Sequence, residues 1–290
     1  MTVIAKIIHY TYICNYSFYS TYKMQTILIT GSTDGVGLLT AHKLAKSGHQ
    51  IIVHGRNTEK LQETIVQMKS QTGNENISGY ISDFSDFKSI QIMLSNIKKD
   101  FNSIDVLINN AGVFISPKDK NQEGLDMRFA VNYLAAYILT NGLLTLLKNS
   151  KSPRLINLSS AAQSSVSIAA LKGNETIMTS VAYAQSKLAL TIWSFAFAKV
   201  HPNMTTIAVN PGSLLNTNMV KEAYGHYWSS PEKGADILVA LATMEDYQKH
   251  NGTYFDNDKG IFAQAHPDAY QPEIANELIT ETQQILSRYE

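Results

Sequence analysis

Residues 25–37 read QTILITGSTDGVG, and this stretch decides the fold. Gln25–Thr30 is a strand-length run, apolar through its centre, and Thr30-Gly31-Ser32-Thr33-Asp34-Gly35-Val36-Gly37 then breaks the chain before a helical pattern begins at Gly35–Ser47. A strand without polar alternation is one buried on both faces. Glycines directly after it permit a tight turn, let the backbone approach a pyrophosphate, and allow the helix to pack closely on the strand. The start of the helix adds unpaired N–H groups and the positive end of a peptide dipole. The string therefore predicts a strand–turn–helix unit with a phosphate-receiving turn. Its spacing, TGxxxGxG, differs from the commoner GxGxxG, and the same letters also fit a glycine-rich turn that holds no ligand.

Outward from this unit the alternation continues. Strands are predicted at Gln50–His54, Ile77–Ser82, Ile104–Asn109, Arg154–Leu158, Thr205–Val209 and Gly252–Phe255, giving about seven in all. Helical patterns separate them at Thr58–Ser70, Phe87–Lys99, a long segment through Asn132, and Val181–Lys199. Apolar strands divided by helices predict an α/β fold, a Rossmann-type doubly wound parallel sheet in a single domain spanning 24–290. Ligands in such a sheet bind at the carboxyl ends of the strands.

Composition narrows the function. The chain has 290 residues, 44% hydrophobic and 17% charged, which suits a globular domain with a full core. Lys and Arg number 24 and so do Asp and Glu, so no basic excess marks a partner such as nucleic acid or an anionic membrane. The one cysteine, Cys14, forms no internal disulfide, which points to a reducing, cytoplasmic setting. Phe129–Leu147 is free of charge after Arg128 and long enough to span a bilayer, but Asn132, Thr140, Asn141, Gly142 and Thr145 interrupt it. It reads as a buried helix. Residues 1–23 carry Tyr10, Tyr12, Tyr16, Tyr19 and Tyr22 without a signal-peptide pattern, and read as a poorly ordered extension or as sequence ahead of a start at Met24. An amphipathic helix at Pro272–Tyr289 offers a surface for the pocket, a membrane or a second subunit, and homo-oligomers through the long helices fit the pattern.

Several residues can carry chemistry. Arg56 follows the second strand where an acidic residue would bind the ribose 2′-hydroxyl of NAD; a guanidinium there, with Asn57, suits the 2′-phosphate of NADP. Asp34 in the glycine turn is a counter-signal, because a carboxylate repels a phosphate. Tyr183 and Lys187 stand four apart on one helix face. A phenol titrates near pH 10 when unperturbed, and an adjacent ammonium favours its phenolate, bringing proton transfer toward neutrality. Ser159 and Ser160 end the fifth strand, where a hydroxyl can meet a carbonyl oxygen or simply cap a turn. Asn132 falls within a helix, a place asparagine occupies at a cost unless its amide is used. No cluster has metal-ligand spacing, so no metal is expected.

Taken in order, these strings resemble the short-chain dehydrogenase/reductase family in its single-domain branch. The matches are TGSTDGVG at 30–37, Asp83, Asn109-Asn110-Ala111-Gly112, Asn132, Ser159-Ser160, YAQSK at 183–187 and Asn210-Pro211-Gly212, covering about Met24 to Phe255. FAVNYLAAYILT and RLINLSS are most similar to its retinol-dehydrogenase-like and protochlorophyllide-reductase-like subset. The resemblance implies a nicotinamide dinucleotide on Gly31, Ser32, Asp34, Gly35, Val36 and Gly37, with Arg56 selecting NADP. It implies the adenine amino group at Asp83, the adenosine ribose at Asn110, Ala111 and Gly112, and the nicotinamide face at Pro211 and Gly212. Tyr183 would be the general acid/base, Lys187 would lower its pKa and hold the nicotinamide ribose, Ser160 would orient the substrate oxygen with Ser159 as the fallback, and Asn132 would anchor a proton-relaying water.

The sequence departs from the family in two places. Asn216 stands where a carboxamide-binding threonine is common, so the role passes to Thr217. The gap from Ser160 to Tyr183 is also longer than usual, and its extra segment, Ala161–Ser180, charged only at Lys172 and Glu175, is expected to border a substrate pocket whose other wall is Ser213–Pro231, with Met219, Tyr224, Tyr227 and Trp228. Such walls suit a lipophilic aldehyde, ketone or alcohol. The expected activity is NADP-dependent interconversion of a carbonyl and its alcohol. A non-catalytic NADP-binding regulator and a C=C reductase of the same fold are the alternatives.

Overall fold

The computed structural model describes residues 24–289; the extension expected at 1–23, with Cys14, lies outside them. Eight strands form one sheet in the order β3-β2-β1-β4-β5-β6-β7-β8. They are β1 (Thr26–Ile29), β2 (Gln50–Gly55), β3 (Ile77–Ile81), β4 (Val106–Asn109), β5 (Arg154–Leu158), β6 (Thr205–Asn210), β7 (Thr253–Asp256) and β8 (Ile261–Ala263). All neighbours pair in parallel except β7 and β8. The eighth strand exceeds the seven expected. It is three residues long and follows a tight turn whose Gly260 adopts φ +69°, so it offers no apolar run to read.

Helices cover both faces. In chain order they are α1 (Gly35–Lys46), α2 (Thr58–Thr72), α3 (Phe87–Asp100), α4 (Met127–Phe129), α5 (Ala135–Gly142), α6 (Leu144–Lys148), α7 (Ile168–Leu171), α8 (Thr179–Val200), α9 (Asn218–Tyr224), α10 (Pro231–Thr243) and α11 (Pro272–Leu286). Local chemistry sets their ends: Asp34, Asn57 and Asp86 accept backbone N–H groups at the starts of α1, α2 and α3, and Gly73 ends α2 in a left-handed conformation.

Alternation along each strand divides the core. Ile27, Ile29, Val106, Ile108, Ile156, Ile207 and Val209 face the layer of α1, α2 and α10. Leu28, Leu107, Leu155 and Ala208 face the opposite layer, with Phe129, Tyr133, Leu188, Trp193 and Leu278. The uncharged stretch 129–147 lies in that second layer, as a buried helix interrupted after Gly142. Its Thr140 hydroxyl accepts from Asn109 Nδ2 (3.0 Å), which also donates to Asn157 Oδ1 (2.8 Å). Asn157 in turn donates to Ser194 (2.7 Å), so Thr140 serves a hydrogen-bonded ladder within the core, while Asn141 and Thr145 are exposed. Among the described residues no helix is long and apolar enough to cross a membrane.

The C-terminal helix α11 packs on α8, buries Leu278, Ile285 and Leu286, and bonds Thr282 to the Tyr133 hydroxyl at 2.7 Å. The strand order reverses between β1 and β4, which opens a crevice at the carboxyl ends of the strands.

Candidate active site

A cleft of about 980 Å³ occupies this crevice, at the upper end of ordinary ligand pockets. One end is built from the turns after β1, β2 and β3. Gly31 and Gly35 adopt φ +63° and +53°, a region open to glycine at little cost. A Cβ on Gly31 would lie 2.9 Å from Ala111 Cα, and one on Gly37 would lie 2.4 Å from Asn110 Nδ2. The turn is therefore packed against the end of β4. Thr30 Oγ1 accepts from the N–H groups of Asn110 (3.0 Å) and Ala111 (2.9 Å), while Asn110 Nδ2 donates to the carbonyls of Thr30 (2.8 Å) and Gly31 (3.0 Å). Asn110 lines the cleft, but its amide braces the turn.

Gly31, Asp34, Gly35, Val36, Gly37, Arg56, Asp83, Ala111 and Gly112 also line the cleft. Ser32 does not join them. It is fully buried, its hydroxyl donating to Ile29 O (2.8 Å) and accepting from the N–H of His54 (2.9 Å), and the half-buried Thr33 beside it lines the cleft instead. Asp34 accepts from the N–H of Gly35 (2.7 Å), from Lys60 Nζ (2.7 Å) and from Asn218 Nδ2 (2.9 Å). Burial pushes its carboxyl up, but these bonds and the Lys60 charge outweigh that and hold it below the usual range. The expected repulsion of a phosphate by Asp34 is thus compensated in place. Lys60 had no signal beyond its position on the first turns of α2; it adds a second cation beside the exposed Arg56. Asn57 is occupied as the helix cap, its Oδ1 accepting from the N–H of Lys60 at 2.7 Å.

At the other end, α8 presents Tyr183 and Lys187. The Tyr183 ring packs on Phe114 at 4.7 Å, and Lys187 Nζ lies 5.7 Å from the Tyr183 ring centroid. Lys187 is only 4% exposed and donates to Leu158 O at 2.8 Å. Burial brings its ammonium down to about 8. Asn132 sits in a π turn, Ala130–Leu134, between α4 and α5. Such turns cluster at functional sites. Its Oδ1 accepts from the N–H of Val113 (2.7 Å), and its Nδ2 donates to Val113 O (3.0 Å) and Ser186 Oγ (2.9 Å). The amide thus ties the loop after β4 to the helix of Tyr183. A Cβ on Gly112 would come 3.3 Å from Asn132 Oδ1 and 3.4 Å from Lys187 Nζ, so only glycine leaves that corner open.

The two serines separate. Ser159 lines the cleft, but its Oγ is buried against Thr191 Oγ1 (2.7 Å) and Lys187 O (3.3 Å). Ser160 falls outside the lining, with its Oγ accepting from the N–H of Ala162 at 3.1 Å. The positions expected for the substrate hydroxyl therefore differ in wall position and in hydrogen bonding.

Pro211, Gly212 and Thr217 line the same wall. Asp258 holds this turn, accepting from the N–H of Ser213 (2.9 Å) and from Asn210 Nδ2 (2.9 Å). Thr217 caps α9 through the N–H of Val220 (3.3 Å).

The expected pocket walls need correction. Residues 161–180 do not line the cleft. They run along the flank, where Lys172 pairs with Glu281 of α11 (2.7 Å) and Gly173 O accepts from Lys120 Nζ (2.8 Å). Their place is taken by Val113, Phe114, Ile115, Ser116, Pro117 and Lys118, opposite Leu215, Met219, Val220 and Glu222. Of the aromatic group in the loop after β6, Tyr227 and Trp228 point to solvent, Trp228 being 71% exposed. Among the described residues no group of His, Cys, Asp and Glu has metal-binding geometry.

Residues 25–227 match the family model of the short chain dehydrogenases. Mouse retinol dehydrogenase 13 is 31% identical over 282 residues, covering 90% of this chain and 84% of that protein. Human polyprenol dehydrogenase is 30% identical over 253 residues, covering 80% and 76%. A short chain dehydrogenase of Escherichia coli CFT073, solved in complex with NADPH, superposes with a TM-score of 0.66 at 25% identity, over 80% of this chain and 96% of that one. The glycine turn on β4, the Tyr183–Lys187 pair beside Asn132 and these similarities lead to one conclusion: the chain belongs to the short-chain dehydrogenase family and is an oxidoreductase of alcohol and carbonyl groups.

Proposed function

We propose that this protein interconverts a lipophilic carbonyl compound and its alcohol with NADP(H), Tyr183 moving the proton. The carrying observation is Lys187, buried beneath the Tyr183 ring at the wall of a cleft whose far end is a glycine turn flanked by Arg56 and Lys60. The fit of a dinucleotide rests on that turn: glycine at 31 and 37 lets it sit against Ala111 and Asn110 where a Cβ would collide, and the start of α1 then faces the cleft with Gly35, Val36 and Gly37. Arg56 and Lys60 would hold a 2′-phosphate, Asp83 would meet the adenine, and Pro211-Gly212 would back the nicotinamide. The nicotinamide, when bound, supplies or accepts the hydride.

The chain's own residues handle the proton. Lys187, cationic below about pH 8, lies beside the Tyr183 ring, where its charge would stabilise the phenolate left as the phenol gives its proton to a carbonyl oxygen. Asn132 fixes the backbone of Val113 and the Ser186 hydroxyl, and Ser186 donates to Tyr183 O at 2.7 Å, so the helix turn bearing Tyr183 is held in register. The Ser159 hydroxyl is engaged within the fold and Ser160 stands outside the cleft lining with its Oγ accepting from the N–H of Ala162, so giving Ser160 the substrate oxygen rests on the family pattern. Val113, Phe114, Ile115, Pro117, Met219 and Val220 make the substrate end apolar, which favours retinoid- or polyprenyl-like aldehydes over sugars.

The test is NADPH oxidation with a panel of long-chain and polyene aldehydes. Wild type should turn over apolar members with NADPH in preference to NADH, and Tyr183→Phe should lose about 100-fold or more in kcat, the scale of general acid catalysis. A Tyr183→Phe variant as active as wild type would overturn the reading.

A further inference from the structure

Strand β2, QIIVHG, carries an imidazole directly after the buried apolar run Ile51-Ile52-Val53, and the proposed reaction makes no use of it. His54 is buried, with both ring nitrogens bonded across strands. The N–H of Gly31, in the turn after β1, donates to Nδ1 at 3.0 Å. Nε2 lies 3.0 Å from Ser82 O, at the end of β3. Because Nδ1 accepts, the proton must sit on Nε2, and Ser82 O receives it. Phe84 stacks on the ring with centroids 4.2 Å apart and planes 20° from parallel. The backbone of His54 completes the knot, its carbonyl accepting from the N–H of Ser32 at 2.9 Å. Gly31, His54, Ser82, Asp83 and Phe84 all line the adenosine end of the cleft.

Resting on the dinucleotide reading above, we propose that His54 is the positioning residue for the adenosine half of the cofactor, a neutral imidazole that staples the β1 turn to the β3 end. Two consequences follow from the geometry. The Gly31 N–H is spent on His54, so phosphate oxygens must be met by the N–H groups at the start of α1. The wall formed by Ser82, Asp83 and Phe84 also takes its distance from the glycine turn through one ring. Burial favours the uncharged ring, holding it down to about 4, so the acceptor on Nδ1 persists at neutral pH.

The test uses the full chain and two ligands, NADPH and the half-molecule 2′,5′-ADP, with binding followed by calorimetry. His54→Phe keeps the ring and loses both hydrogen bonds; His54→Asn restores an acceptor near the Gly31 N–H. His54→Phe should weaken 2′,5′-ADP and NADPH together by about 10- to 100-fold, raise KM for NADPH, and keep kcat at saturating NADPH within about twofold. His54→Asn should recover part of that affinity. If His54→Phe does not fold, His54→Asn against His54→Ala decides the matter by the same two affinities. Equal 2′,5′-ADP affinity in wild type and variants, or a fall in kcat with KM unchanged, would overturn the proposal. Wild type that binds neither ligand would overturn the NADP reading itself, a different failure from variants that match a binding wild type.

Discussion

The two ends of the cleft are built on different principles. The adenosine end is a set of short turns braced by internal hydrogen bonds: Asn110 on Thr30 and Gly31, His54 on Gly31 and Ser82, Ser32 on Ile29. The substrate end is made of side chains on the loop Phe114 to Lys118, set against Leu215 and the start of α9 and held mainly where Asn132 grips Val113. Backbone geometry defines the first and side-chain bulk defines the second. The first should therefore fail abruptly on small changes, while the second should tolerate them and change preference.

The largest expected effect attacks the backbone end. Gly37→Ala places a methyl 2.4 Å from Asn110 Nδ2 and 2.5 Å from Gly31 O. Overpacking of this kind costs about 1–3 kcal/mol, and here it displaces the brace of the glycine turn. Cofactor affinity, read by nicotinamide fluorescence, should fall at least about tenfold, and urea unfolding should show the lost stability. Unchanged binding would break the contrast between the two ends.

An intermediate effect belongs to the substrate end. Phe114→Ala removes the ring against Tyr183, and the loss of roughly 1–2 kcal/mol of apolar contact should raise KM for apolar carbonyls by about an order of magnitude. Cofactor affinity should stay within about twofold. Steady-state kinetics with each ligand varied in turn separates the two, and a larger effect on the cofactor would show that the ends are not independent.

The smallest effect sharpens the comparison at their junction. Lys187 is held down to about 8 from an ordinary 10.5, so between these values the unfolded chain binds more protons than the folded one. Stability therefore gains from this group as pH rises through that window, and the group opposes folding below it. Denaturation of wild type at pH 8 and pH 10, set against Lys187→Met, should show a pH-dependent gain in wild type that the variant lacks. An identical slope in both would mean that Lys187 is not desolvated.

The same division governs what the sequence reveals. Parallel strands, the glycine turn and the Tyr183–Lys187 face were legible, because each rests on a local pattern: an apolar run, a glycine string, a four-residue spacing. Ser32 misled because its neighbours all face the cleft, while its own hydroxyl turns inward to Ile29 and His54. Residues 161–180 misled for a different reason. The segment holds only two charges, Lys172 and Glu175, yet little of it is buried: Ala170 and Leu171 enter the core, while Lys172 and Gly173 meet α11 and the loop near Gly124 rather than the cleft. Phe114–Lys118 carried no periodic or motif signal, since a loop wall is fixed by long-range contacts. His54 had one: a polar ring directly after an apolar run.

The C-terminal helix bears on how the chain comes to be made. The layer that holds α1, α2 and α10 has its last buried apolar member at Phe255, whereas the opposite layer needs Leu278, Ile285 and Leu286. During synthesis from the N-terminus one face of the sheet can close while the last helix is still being translated, and the other cannot. Stop codons or truncations within the final helix therefore leave an open core, with Tyr133 stripped of its Thr282 partner and within reach of chaperones and proteases, even though every residue of the cleft has already been made.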